Sequence, residues 1–163
     1  MRNLYLILIV MSSLILYSCK KDASQSYWNF ENTKYEPSYS SYSQLSGGIT
    51  FDQHYYLSCR SSANNSILTI VFANTTGTPP SGQCQVITYD SLNPPSGNQV
   101  FVNIANGPSG NQTHYFPTGN SSDQVQVYMN NGKVAVKGTG IHLVNAQNAS
   151  DNGTLDFDVT QTN

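Results

Sequence analysis

Val125-Gln126-Val127-Tyr128-Met129-Asn130-Asn131-Gly132-Lys133-Val134-Ala135-Val136 carries the clearest local pattern in the chain. Val125, Val127 and Met129 occupy every second position, Asn130-Asn131-Gly132 interrupts, and Val134 and Val136 resume the alternation. A period of two marks a strand with one buried face. Asn-Gly supplies the positive φ that a tight hairpin turn demands. The stretch predicts two antiparallel strands joined by a short turn.

The same rhythm spreads outward. Ile141 and Leu143 continue it, and Leu155, Phe157 and Val159 form a last strand. Asp156 and Asp158 fall on that strand's other face and read as solvent-facing aspartates on an edge. Upstream, Tyr55, Leu57 and Cys59 alternate, and so do Val100, Val102 and Ile104. His114 and Phe116 share one face before Pro117. Ile67 to Phe72 is a continuous apolar run, as expected of a strand buried on both faces. Cys84 to Tyr89 reads as a further strand. Thr76 to Gly82 and Asn93 to Gly97 are Gly/Pro-rich loops. No window has helical periodicity over three turns. Short strands at this spacing predict an all-β domain over residues 45–163, a single antiparallel β-sandwich with a closed β-barrel as the alternative.

Composition agrees. Only 10% of the residues are charged, and Asn, Ser, Thr, Gln, Gly and Tyr take their place. Tyr and Thr favour strands, whereas Asn, Gly and Ser favour turns. The net charge is −2. Mild acidity argues against nucleic acid, whose phosphates call for a basic patch. It argues equally against electrostatic attachment to anionic lipid.

At the N-terminus, Arg2 precedes an apolar run from Leu4 to Tyr17 that ends in Ser18-Cys19. Crossing a bilayer takes roughly 20 apolar residues, so the run fits a secretory signal better than a span. It resembles the signal of a bacterial lipoprotein, cleaved before the cysteine. That resemblance implies a signal peptide over residues 1–18, lipid on the Cys19 thiol, and a membrane anchor of the cell envelope. Residues 19–44 then read as a flexible, Ser/Tyr-rich tether with too little apolar periodicity to offset its ordering entropy. Its aromatics (Tyr27, Trp28, Phe30, Tyr35, Tyr39, Tyr42) exceed what a plain linker needs, and docking on the domain or stacking on a sugar would use them.

Chemistry is harder to find. Cys59 and Cys84 form an even pair in an exported chain, which reads as one disulfide contributing about 3 kcal/mol. Two buried free thiols are the alternative. His54, His114 and His142 lie on separate strands with no short-spaced pair, so no zinc site is expected. Asp151-Asn152-Gly153 with Asp156 and Asp158 lacks the spacing and closing glutamate of an EF-hand loop. No Gly-x-Ser-x-Gly elbow is present, and no residue is assigned a catalytic role, a metal or a cofactor. Asp90-Ser91-Leu92 resembles the acceptor triplet for O-linked sugar on exported proteins of Bacteroidota, with Ser91 as acceptor; a turn-initiating aspartate accounts for it as well.

The Ser18-Cys19-Lys20-Lys21-Asp22 junction resembles that of small cell-envelope lipoproteins of Bacteroidota. The domain is similar to uncharacterised β-rich modules that follow such junctions, in Ser81 to Val86, Asn131 to Val134 and Leu155 to Gln161. The resemblance implies an outer-membrane location, with the periplasmic and surface faces both open. It carries no activity. The expectation is a non-enzymatic module binding a glycan or another envelope protein. The alternatives are an accessory subunit pairing through a sheet edge, and a hydrolase with an unrecognised site.

Overall fold

A computed structural model describes residues 25–45, 53–88, 90 and 93–162. The signal peptide, Cys19 and Ser91 lie outside the described residues.

Among the described residues, eleven strands form one sheet. They are β1 (Tyr27–Phe30), β2 (Thr33–Tyr35), β3 (Tyr39–Gln44), β4 (Tyr55–Arg60), β5 (Ile67–Phe72), β6 (Gly82–Val86), β7 (Gln99–Asn106), β8 (Thr113–Pro117), β9 (Gln124–Asn130), β10 (Lys133–Asn145) and β11 (Asn148–Thr160). Among the described residues the only helical turn is a 3-10 turn at Ala63–Asn65. The strand order is β2-β1-β11-β10-β9-β6-β7-β5-β4-β3, and β8 pairs with both β10 and β7. The fold is therefore all-β and sandwich-like. One half is β2-β1-β11-β10 and the other is β7-β5-β4-β3. Strands β9 and β6 join the halves on one side, and β8 joins them on the other.

The hairpin that opened the reading is present. Lys133 pairs with Asn130 across Asn131 (φ 51°) and Gly132 (φ 78°), and this pair of left-handed residues makes a type I′ turn. The sheet is not wholly antiparallel. Strand β6 runs parallel to β7 over Gln85↔Gln99 and Val86↔Val100. The long Pro94-Pro95 connection carries the chain back to the same end before β7 begins, as a parallel pair requires.

Alternation places one set of side chains from every strand in a single core. Leu57, Ile70, Val102, Val136 and Phe157 stand for β4, β5, β7, β10 and β11, and each is at most 1% exposed. Burying such a side chain stabilises the fold by about 1.5–3 kcal/mol. On the outer face of β5 and β7, Val71 and Phe101 form a small second cluster with Leu45, Tyr56, Ile87 and Phe116. Strand β5 is thus covered on both faces, as its apolar run requires.

The segment expected to be a tether is largely part of this domain. Trp28, Phe30 and Tyr35 are buried, and Tyr42 packs against the same core. Strand β1 pairs with β11 over four residues, from Tyr27↔Asp158 to Phe30↔Leu155. The domain therefore begins by Tyr27 and not at residue 45, and β11 is an interior strand, not an edge. Two large aromatics at alternating positions bury enough surface to order a short strand when a long strand offers its edge.

The expected disulfide is absent: Cys59 and Cys84 are free, buried thiols. They sit on β4 and β6, which β5 and β7 separate in the sheet. Burial pushes the Cys59 thiol up to about 12 and raises Cys84 as well, so neither is a ready nucleophile.

Strand β10 carries a bulge. Its register with β11 shifts between Gly138 and Ile141. At Gly138 a Cβ would lie 2.6 Å and 2.8 Å from ring carbons of Phe157 and 3.1 Å from Val125. Gly138→Ala is expected to cost about 1–3 kcal/mol by overpacking, measured by urea unfolding. Phe157→Leu made in the same chain should recover part of that loss. Additive costs would mean that Phe157 is not what excludes the Cβ.

Candidate functional site

The outer face of β2-β1-β11-β10 is where polar side chains gather. Inward positions are occupied by Phe30, Leu155, Phe157, Ile141 and Leu143, so alternate residues point outward. Lys34 stands beside Asn29, Asn29 beside Asp156, His142 beside Thr154, and Val144 beside Asn152. Two open clefts meet along Asn152-Gly153-Thr154. One, about 610 Å3, is lined by Asn29, Glu31, Asn32, Lys34 and Asp156. The other, about 410 Å3, is lined by Thr118, Asn120, His142, Val144 and Ala149.

Behind the second cleft, a buried aspartate backs one of its lining residues, His142. Asp123 is in the β8–β9 connection, with its side chain 2% exposed against 46% for His142. The His142 backbone N–H donates to Asp123 Oδ2 at 2.8 Å, and His142 Nδ1 lies 2.7 Å from Oδ1. Asn120 Nδ2 also lies 3.3 Å from Nδ1, but the carboxylate oxygen is closer and only accepts, so Nδ1 is assigned the hydrogen and Nε2 is the ring's remaining polar atom. Asp123 is fixed in turn: its N–H donates to the Asn120 carbonyl at 3.0 Å and its carbonyl accepts from Val86 N–H at 2.9 Å. The Thr118 N–H donates to the His142 carbonyl at 2.9 Å. The imidazole is thus presented to the cleft in one orientation.

The first cleft ends in a strained turn. Glu31 and Asn32 join β1 to β2 with φ of 49° and 61°, and a glutamate rarely adopts this left-handed conformation. Glu31 lies against Asp151. Partial burial first, and then the Asp151 charge, hold the Glu31 carboxyl above the usual range. Asp151 is held below its usual range, first by the hydrogen bond from Asn145 at 2.7 Å and further by that from Tyr115 at 3.1 Å. Burial and the bond to Asp151 push Tyr115 up to about 12.

A raised Glu31 carboxyl stabilises the fold below the ordinary glutamate range of about 4.3, and this contribution fades as pH rises through the higher folded value. Glu31→Gln should therefore melt above wild type at neutral pH, and the gap should close as the pH falls below about 4. Melting curves across that window check it. A gap independent of pH would mean that the fold does not raise the Glu31 carboxyl.

The other aspartates have structural partners. Asp156 Oδ1 accepts from the Gly140 N–H of the bulge at 2.7 Å, and Asp158 Oδ1 accepts from the Tyr128 hydroxyl at 3.3 Å. Asn103 Nδ2 is 3.5 Å from His114 Nδ1, and His54 precedes β4. No three His, Cys, Asp or Glu side chains converge among the described residues. Of the tether aromatics, Tyr27 lies half-buried on the polar outer face, with Lys34 Nζ 5.8 Å from its ring centre. Tyr42 stacks on Tyr55 at 5.1 Å.

The two ends of the strand order are β2 and β3. Strand β2 has three residues, and the Ser40 carbonyl on β3 accepts from Thr162 N–H while its own N–H donates to Thr162 Oγ1. The Asp123–His142 pairing spans 19 positions of sequence and has no local motif. Nothing in the sequence around Asp123 or His142 marks either residue.

Comparison of the chain with protein-family models, curated proteins and solved structures gives no significant match.

Proposed function

We propose that this protein is a lipid-anchored module of the bacterial cell envelope, held to the outer membrane through Cys19, which binds a glycan on the outer face of β2-β1-β11-β10. The observation that carries the binding reading is the pair of adjoining open clefts lined by Asn29, Asn152, Thr154, Asn120 and the fixed imidazole of His142. Amides and hydroxyls both donate and accept, which matches the vicinal hydroxyls of a sugar. Tyr27 adds an aromatic on the same face, suited to an amphipathic ring. The three-residue β2 edge and the Ser40–Thr162 hydrogen bonds on the β3 edge favour this reading over strand pairing with a partner.

The test uses the full chain purified in detergent on a glycan array, followed by calorimetry. Saturable binding of a neutral glycan is expected, weakened about tenfold when His142→Ala and Asn152→Ala remove two polar contacts. A blank array with one co-purifying envelope protein would make the chain an accessory subunit instead.

The Asp123–His142 pair supports a second reading, acid–base catalysis, because a carboxylate that fixes an imidazole tautomer is how hydrolases orient a general base. Hydrolysis of acyl or glycosidic reporters, lost in His142→Asn, would favour it over binding alone.

A further inference from the structure

At the end of β8 remote from Thr118, a separate cleft of about 330 Å3 surrounds Arg60. Ser38, Ser62, Asn65, Ser109 and Gln112 line it, and among the described residues no carboxylate does. Lys34, by contrast, is paired with Glu36 at 2.8 Å. Among the described residues no hydrogen bond or ion pair engages the Arg60 guanidinium. The walls are fixed by backbone contacts. Ser38 donates to the Arg60 carbonyl from its N–H at 2.8 Å and its hydroxyl at 3.2 Å. The Ser61 N–H donates to the Ser66 carbonyl, and the Gly107 N–H to the Asn64 carbonyl, each at 2.9 Å.

We propose that this cleft binds an acidic saccharide unit, a uronate, with its carboxylate on Arg60. The planar guanidinium fork matches a carboxylate with two parallel hydrogen bonds. The surrounding hydroxyls and amides match a polyhydroxylated ring. A single cation among neutral polar groups suits a single negative charge on such a body. An anionic membrane surface calls for a cluster of basic residues instead. The site is distinct from the face around His142 and goes beyond that reading.

The test is calorimetry on the full chain in detergent with an oligogalacturonate, its methyl ester, inorganic phosphate and phosphatidylglycerol vesicles. The uronate should bind, and more weakly as salt is raised. The methyl ester and Arg60→Gln should each lose about tenfold or more, with Arg60→Lys between them because it keeps the charge without the fork. His142→Ala should leave the affinity unchanged, which separates this site from the other. Arg60 is exposed, so Arg60→Gln should melt with wild type. Absence of uronate binding, equal binding of the ester, indifference to Arg60→Gln, or preference for phosphate or vesicles would each overturn the assignment.

Discussion

Trp28→Ala is expected to destabilise the protein by about 3–5 kcal/mol, the range for emptying a large aromatic site. Trp28 is fully buried, its ring stacks on Tyr35 at 5.3 Å with an interplanar angle of 11°, and its strand partner is Phe157. Its Nε1 is buried without a hydrogen-bond partner. Trp28→Phe keeps most of the apolar surface and removes that unpaired donor, so it should cost far less than alanine. Urea unfolding of the two variants measures both. If residues 27–44 were a tether, each substitution would fall within about 0.5 kcal/mol of wild type, as surface changes do. The predicted large, graded loss would instead place this segment in the cooperative unit.

Asp123→Ala should cost about 3 kcal/mol. It removes two hydrogen bonds to an ionised acceptor, each worth about 1.5–3 kcal/mol, with part of that sum offset by relief of a buried charge. His142→Ala should cost less, because the imidazole is half-exposed and water replaces part of what it gave. Asp123→Asn should fall between, since its amide oxygen still accepts one bond. Nitrogen NMR of the imidazole gives the functional readout: Nδ1–H in the wild type, and a mixture of tautomers once the carboxylate is gone. Equal stability and an unchanged tautomer in Asp123→Ala would show that the carboxylate does not orient His142.

Local chemistry decided which parts of this fold are legible in the sequence. Asn131-Gly132 announces its hairpin because Gly and Asn tolerate positive φ, and the valines around it announce the buried face. The β1–β2 hairpin uses the same turn geometry at Glu31-Asn32, without a glycine, so the turn carries no such signal. Its strands are short and flanked by Ser and Tyr, a composition close to that of disordered chain. What orders them is the edge of β11, more than a hundred residues away. The alternation of Trp28 and Phe30 was the available clue. Cys59 and Cys84 misled because an even count says nothing about strand order, and two strands intervene. Asp123 and His142 meet because the β8–β9 connection runs beside β10 between the segments that pair with β9 and with β8, a contact that no spacing rule encodes.

The outer face around His142, Asn152 and Thr154 is proposed to bind a hydroxyl-rich ligand. The most direct measurement is amide and imidazole NMR of the full chain in detergent, titrated with neutral glycans from a bacterial envelope. Saturable shifts confined to Thr118, Asn120, His142, Asn152, Thr154 and Asn29 are expected, with the Arg60 end unmoved. Shifts absent from that face, or confined to a sheet edge, would contradict it.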